Sequence, residues 1–423
     1  MMVKRQGITL WLLCFIGLAA VQPVQPQWRA GLRYGGIVAS TLLLPKENET
    51  PFLSRSYQSS FLTRVSIFMN FTFDDHFSSF ALFESVRGLS FSVFAMGVHW
   101  KPFSSPYLQF RVGKFQAPFG NFLERRFAPM NPVIGLPLIY DYAHNLSAFD
   151  IPGSNAVLLE SRGSGVELRY RPADPAGSGK ADRWIMKPAS GHLPRAGRGM
   201  RILSRELYLT GIELVGRTRR WRYALAVTNG SVSNPADLNP TGRLNLLGRL
   251  IFSPTAGFVA GLSMARGAYL NRQATEAALS RIGRRPEEFL QTTVGLDLSY
   301  SYRHLEVWAE GLWNRYETPF ISGDLDLTGW NLEMKYKLTA RLFLAFRYNG
   351  IRFAEIEDPT DVDGDGALME SWDYNVQQWE VAVWVRLHRN GFFKMAHQWN
   401  RTQDVPQGDP ADDVTAFQFT VYF

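Results

Sequence analysis

Cysteine is almost missing: Cys14 is the only one among 423 residues. It sits inside an N-terminal apolar run, so the chain beyond that run has no thiol, no disulfide and no cysteine metal site. Long apolar stretches are missing too. Past the N-terminus nothing matches the roughly 20 apolar residues that a membrane helix needs, and the mean hydropathy is only −0.14. No Gly-rich phosphate loop and no serine in a nucleophile-elbow setting occurs. The histidines are scattered, with no pair at ligand spacing on one face. An enzyme built on a barrel needs a catalytic group at its rim, and no residue pattern supplies one. The expectation is a protein without enzymatic activity.

What is present begins at the N-terminus. Lys4 and Arg5 precede an apolar run over 8–20, followed by the polar, Pro-containing segment 21–27. That order of charge, apolar run and small residues is that of a cleaved export signal. A short membrane anchor is the competing reading, but about 13 apolar residues fall short of the ~20 that span a bilayer. The expected organisation is a signal peptide over 1–20, a short periplasmic leader over 21–28, and one β-barrel domain over 29–423.

Alternation with a period of two is the main signal beyond residue 60. Over 61–73, Phe61, Thr63, Val65, Ile67, Met69, Phe71 and Phe73 fall on one side, with Arg64, Ser66, Asn70 and Thr72 on the other. Over 377–388, Trp379, Val381, Val383, Val385 and Leu387 oppose Gln378, Glu380, Arg386 and His388. Segments 292–302 and 330–338 repeat the pattern. A soluble sandwich alternates as well. Two features favour the membrane. The strand-like segments run to about 9–13 residues, the length of a tilted bilayer crossing. Connections also alternate between short ones (74–76, 101–105, 161–164, 218–220, 253–256, 303–304, 339–340, 389–391) and long ones (45–59, 116–154, 171–204, 230–241, 269–288, 355–374, 402–412). Tight turns on one side and long loops on the other describe a meander between periplasm and exterior. The count comes to about eighteen strands, or about sixteen if weak ones near 85–89 and 156–171 are dropped. Segment 414–423 alternates Phe417, Phe419, Val421 and Phe423 against Gln418 and Thr420. A last strand that stops on Phe resembles the signal by which outer-membrane barrels are inserted. The expected fold class is all-β, a transmembrane antiparallel barrel of the cell outer membrane.

Residues 109–120 read Gln-Phe-Arg-Val-Gly-Lys-Phe-Gln-Ala-Pro-Phe-Gly. Phe110 and Val112 can face lipid while Gln109 and Arg111 face the lumen. Pro118 cannot donate to a ladder and Gly120 permits a sharp turn, so the strand should end there. The stretch 121–152 carries Phe122, Phe127, Ile134, Leu136, Leu138, Ile139 and Tyr140, too apolar a set for a loop free in water. Folding it into the barrel resolves the conflict and makes 116–154 a candidate constriction loop. A surface loop packed on a partner subunit is the other solution.

The segment from Gly113 to Gly120 resembles the phosphate-selective porin (O and P type) family of outer-membrane barrels. In that family a strand ends in a Gly-Lys-Phe…Pro-Phe-Gly-like motif and enters a long loop that folds into the pore. The stretch 293–313, with Ala309 and Glu310, also looks like that family's paired strands. The resemblance implies a passive channel, lumenal cations that guide anions, and trimers by analogy. Carried onto this chain, it makes Arg111, Lys114, Arg125 and Arg126 pore residues.

Parity adds Arg64, Arg249 and Arg347 to the lumenal set, together with Arg222, Arg243, Lys335 and Lys394. The same face carries Glu213, Glu306, Glu310, Glu333 and Glu380. Opposed charges line many general pores and leave a transverse field; they can equally pair to brace the wall. The net charge of +7 fits anions in a pore or anionic lipid head groups.

Residues 361–366 place Asp361, Asp363 and Asp365 at positions one, three and five of a calcium loop, with Gly366 at six. Trp372 stands where the bidentate Glu of an EF-hand belongs, so that motif is excluded. Calcium (Ca2+) held by 361–370, with Glu370 as a further ligand, is one reading; a solvated acidic turn is the other. The Arg-rich stretch 195–205 looks like a nucleic-acid patch in isolation, but export argues for lipopolysaccharide phosphates or solvation instead. The functional expectation is a water-filled channel for small, anionic solutes, phosphate-like ones included. The alternative is a structural barrel that scaffolds a multi-protein envelope complex.

Overall fold

A computed structural model describes residues 31–45, 60–86, 90–103, 105–166, 168–171, 183–186, 199–362, 364–405, 409–410 and 412–423. The expected signal peptide and leader lie outside the described residues. The alternating segments form a closed antiparallel barrel. Its first five strands are β1 (Gly31–Pro45), β2 (Ser60–Thr72), β3 (Phe77–Val86), β4 (Phe91–Trp100) and β5 (Gln109–Gln116). After a long insertion follow β6 (Tyr208–Arg217), β7 (Trp221–Thr228), β8 (Asn245–Thr255), β9 (Phe258–Ala268), β10 (Leu290–Tyr302) and β11 (Leu305–Tyr316). The circuit ends with β12 (Leu325–Lys337), β13 (Leu342–Phe353), β14 (Val376–His388), β15 (Gly391–Thr402) and β16 (Val414–Tyr422). Each strand pairs with its chain neighbour, and β16 pairs with β1. The seam is extended by Phe423, whose backbone exchanges hydrogen bonds with Gly36 at 3.0 and 3.1 Å.

Sixteen strands is the lower end of the expected range. The weak strand proposed over 156–171 is not in the wall. Its first part is helix α2 (Asn155–Glu160), started by Ser154, whose side chain accepts from the Val157 amide. Its last part, Leu168–Arg171, pairs with Arg183–Met186 in a separate two-stranded sheet. Ser85, from the other weak segment, belongs to β3.

The outward face is apolar and the inward face is not. On β10, Leu296, Leu298, Tyr300 and Tyr302 are exposed while Asp297 is buried. On β14, Val381, Val383, Val385 and Leu387 are exposed while Gln378, Glu380 and Ala382 are buried. A soluble sheet would hide the apolar side, so this inverted barrel is built for hydrocarbon. Exposed Tyr34, Trp100, Tyr107, Trp221, Tyr302 and Tyr336 ring the short-turn end. Phe61, Phe91 and Trp399 are exposed near the long-loop end. Two such girdles mark the interfacial levels of a membrane barrel.

The core sits inside the wall. The 117–207 insertion, with helix α1 (Leu138–Asp141) and α2, packs Phe119, Phe122, Leu138, Ile139 and Leu158 against inward-facing Leu312, Leu327, Ile351 and Val376 in one cluster. Phe122, Leu138, Ile139 and Tyr140, judged too apolar for a free loop, are fully buried there, whereas Phe127, Ile134 and Leu136 remain partly exposed.

Lipid exposure has a direct check. Leu296 lies midway along β10 and is 64% exposed. Leu296→Arg should lower stability in lipid vesicles by about 2–4 kcal/mol, the cost of a cation at the bilayer midplane. A loss below about 1 kcal/mol in urea unfolding would place that residue outside the hydrocarbon.

Candidate functional site

The strand that carries Arg111 ends at Gln116, two residues before Pro118. Gly120 then turns the chain inward with φ of +61°. A Cβ there would run into the Glu310 carboxylate and the Tyr140 hydroxyl, so only glycine fits. Glu310 accepts from the Asn121 amide at 3.1 Å and the Tyr140 hydroxyl at 2.7 Å.

The next residues cross the lumen. Arg125 donates to Glu333 of β12 at 2.5 Å and to Asn121 at 3.1 Å, with its guanidinium 4.3 Å from the Trp308 ring. Arg126 pairs with Glu84 of β3 and lies 4.3 Å over the Phe127 ring. β12 is nine strands from β3 in one direction and seven in the other, so two consecutive arginines grip nearly opposite walls. A segment that reaches both walls can do so only through the interior.

Buried ionic contacts hold the following turn. Arg347 is fully buried and donates to Glu333 at 2.6 and 2.8 Å, to Glu380 at 3.1 Å and to Asn131 at 3.0 Å. Glu380 also accepts from the Ile134 and Gly135 amides at 3.1 and 3.3 Å. Lys394 donates to the carbonyls of Ala128, Asn131 and Val133 at 2.8, 2.5 and 3.2 Å and sits 3.8 Å above the Trp384 ring. Deeper in the insertion, the Gly163 and Asn145 amides donate to Asp373, from the connection between β13 and β14, at 2.8 and 2.9 Å. Burial pushes its carboxyl up to about 6, against the pull of those amides. Burial also holds the His144 imidazole down to about 3, so it packs neutral among Tyr316, Phe353 and Trp372.

The other predicted residues divide. Arg111 pairs with Glu213 at 3.1 Å on the lumenal side. Arg249 pairs with Asp297 at 3.1 Å and lies 3.6 Å from Glu124 of the insertion. Arg64 has no ion-pair partner among the described residues and borders a small cavity with Arg126, Asp141 and Arg205. Lys114 stands apart from this group. It is in register with Met96 and Thr210 on the outer face and pairs with Asp237 at 2.9 Å. Three residues separate it from Arg111, an odd step that changes face in a strand.

Two arginines bordering cavities are not among the lumenal residues expected from sequence, although Arg205 belongs to the 195–205 stretch expected to meet lipopolysaccharide phosphates or solvent. Arg33 belongs to the inward set of β1 and could have been found by extending the alternation to that strand. Arg205 lies in the insertion, where no periodicity applies; it pairs with Asp141. Asp361 and Asp365 accept from the Gly366 and Ala367 amides at 3.0 and 2.7 Å, Glu370 pairs with Arg162 at 2.8 Å, and Asp363 lies outside the described residues. No group of three metal-ligating side chains occurs among the described residues.

Among the described residues, two cavities lie along the β1–β6 wall. The larger, about 700 Å3, is bordered by Arg33, His99, Arg111, Phe68, Phe80 and Tyr208 among others. The smaller, about 210 Å3, is bordered by Arg64, Arg126, Asp141 and Arg205. Phe127 is a wall of both.

No family model and no curated protein matches this sequence. Solved structures do match. The anion-selective porin from Comamonas acidovorans superposes with a TM-score of 0.57 at 9% identity, over 93% of this chain and 100% of that one. The outer membrane channel DcaP of Acinetobacter baumannii gives 0.52 at 10% identity, over 93% and 97% of the two chains. This is the porin fold. OmpF of Salmonella typhi, in a complex with daunomycin, adds 0.51 at 9% identity, over 93% and 97%. The likeness reaches the porin fold of the outer membrane and not the phosphate-selective type.

The Arg126–Glu84 pair is buried, so removing one partner should cost more than removing both. Glu84→Leu alone should destabilise by about 3–5 kcal/mol in urea unfolding, and Arg126→Met/Glu84→Leu together by much less. A double variant no more stable than the single one would mean that this pair does not fix the insertion.

Proposed function

We propose that this protein is a porin, a passive water-filled channel for small anionic solutes. The supporting observation is the charge of the two cavity linings. Arg33 and Arg111 border the larger and Arg64, Arg126 and Arg205 the smaller, while Asp141 is the one carboxylate among the described residues of either lining. The carboxylates that pair with Arg126 and Arg111, Glu84 and Glu213, are buried behind them. Arg33, Arg111 and Arg205 therefore meet the water, with Glu213 withdrawn behind Arg111, whereas Arg126 is buried together with Glu84. A low-dielectric rim of one sign concentrates counter-ions of the other. In this reading the 116–154 segment acts as the constriction, with Phe127 at the narrowest level, and phosphate is one anion among those admitted. Homotrimers in a lipopolysaccharide-containing membrane belong to the same reading by analogy with porins.

A second reading has its own observation. The insertion fills much of the lumen with a packed apolar cluster, as a structural barrel that scaffolds an envelope complex would allow. Planar bilayers separate the two. Pure protein should give discrete conductance steps, with a reversal potential in asymmetric KCl that favours chloride. Arg64→Glu should move that potential toward potassium, because Arg64 has no ion-pair partner among the described residues. Absence of conductance, or cation preference in the unaltered protein, would refute the anion-channel reading.

A further inference from the structure

We infer that the larger cavity is a binding site for small organic anions with an apolar or aromatic body, such as arylalkyl carboxylates. The inference rests on the channel reading only for the route by which such a solute arrives.

Register sets what surrounds the cavity. Across β1 to β6 one level of the wall reads Arg33, Asn70, Phe80, Gly97, Gly113 and Gly211. The three adjacent glycines let neighbouring backbones and the Phe80 ring approach closely. Their absence of side chains is enforced. A Cβ on Gly97, Gly113 or Gly211 would strike the carbonyl oxygen of Val112, Met96 or Val227, and Gly113 has φ of +128°. Beside this row, bordered by Phe80, Ala95, His99, Arg111 and Phe115, lies a hollow of about 700 Å3, within the range of sites that enclose small molecules.

The levels above and below differ in chemistry. Toward the periplasm, His99 pairs in register with Arg111, and Arg33, at the β1 end of the middle row, also borders the cavity. Toward the exterior the lining is Phe68, Phe115, Phe127 and Tyr208. Phe68 and Phe127 meet edge to face at 4.9 Å, so the ceiling is a formed aromatic surface. Four residues of strand separate Arg111 from Phe115, about 13 Å. A carboxylate at the guanidinium level would place an apolar body of a few ångströms under that ceiling. Inorganic phosphate and polyhydroxylated anions satisfy the lower level and leave the upper one in contact with polar groups, which costs desolvation without return.

The test is calorimetric titration of the folded protein in lipid nanodiscs with 3-phenylpropionate, gluconate and 3-phenylpropan-1-ol. Saturable binding of 3-phenylpropionate, at least about tenfold tighter than either comparison, is expected. Phe80→Leu and, separately, Arg33→Gln should each weaken it several-fold, with heat-modifiable migration on gels showing that both variants fold. Gluconate binding as tightly, or no saturable 3-phenylpropionate binding, would overturn the inference. The two readings fail separately. Saturable binding without conductance keeps the site and removes the channel, and conductance without binding does the reverse.

Discussion

Arg125 and Arg126 are adjacent in the chain, yet their carboxylates, Glu333 and Glu84, stand on nearly opposite walls of the barrel. Consecutive Cα atoms are about 3.8 Å apart, so the backbone between them must lie well inside the lumen, with one side chain extended each way. The rest of the interior follows from that placement. Glu333 also takes Arg347, Arg347 takes Glu380, and Glu380 takes the amides of Ile134 and Gly135. A buried charge without a partner is costly, so each member of this chain of contacts depends on the next. The apolar cluster around Phe122 and Leu138 can pack against the inner wall because the arginines have already fixed where the segment runs.

The same pairing decides how the lumen looks to a solute. By parity, the acidic residues seemed to share the lumen evenly with the basic ones, as in a pore with a transverse field. The folded insertion removes that symmetry. Glu310, Glu333 and Glu380 are covered by it, and Glu84 and Glu213 lie behind their arginines. At the two cavities the exposed cations are Arg33, Arg111 and Arg205, while Glu124 and Glu306 stay exposed elsewhere, so the excess of positive charge is local to these linings and arises from burial.

Much of the wall was legible in the sequence. The alternation over 61–73, 292–302 and 377–388 coincides with Ser60–Thr72, Leu290–Tyr302 and Val376–His388 to within two residues. Strands facing lipid must alternate, so the pattern is a physical necessity and easily read. The interior was less legible. Apolar residues over 117–166 follow no period, because that segment packs as an irregular filling rather than as a sheet, and α2 was therefore taken for a strand. The conflict between its composition and water did indicate where it goes. Lys114 illustrates the other limit: a motif drew it into the lumenal group, while its odd spacing from Arg111 puts it on the outer face. The cavity lining is likewise assembled by register: His99 and Arg111 lie on different strands and meet only when β4 and β5 are aligned.

The seam where β16 meets β1 bears on assembly. Gln418 bonds to Thr41 across 377 positions, a separation that would demand a long search in a free chain. Here the search is avoided, since every other pairing in the barrel joins strands adjacent in the circuit. Zipping those pairs curls the sheet and brings its two margins together, so closing so long a loop is divided into smaller steps, of which the pairing across the 117–207 insertion is the longest. Until that last contact forms, β1 and β16 each present a row of unsatisfied amides and carbonyls. A factor that paired with either margin would substitute for the strand that has not yet arrived.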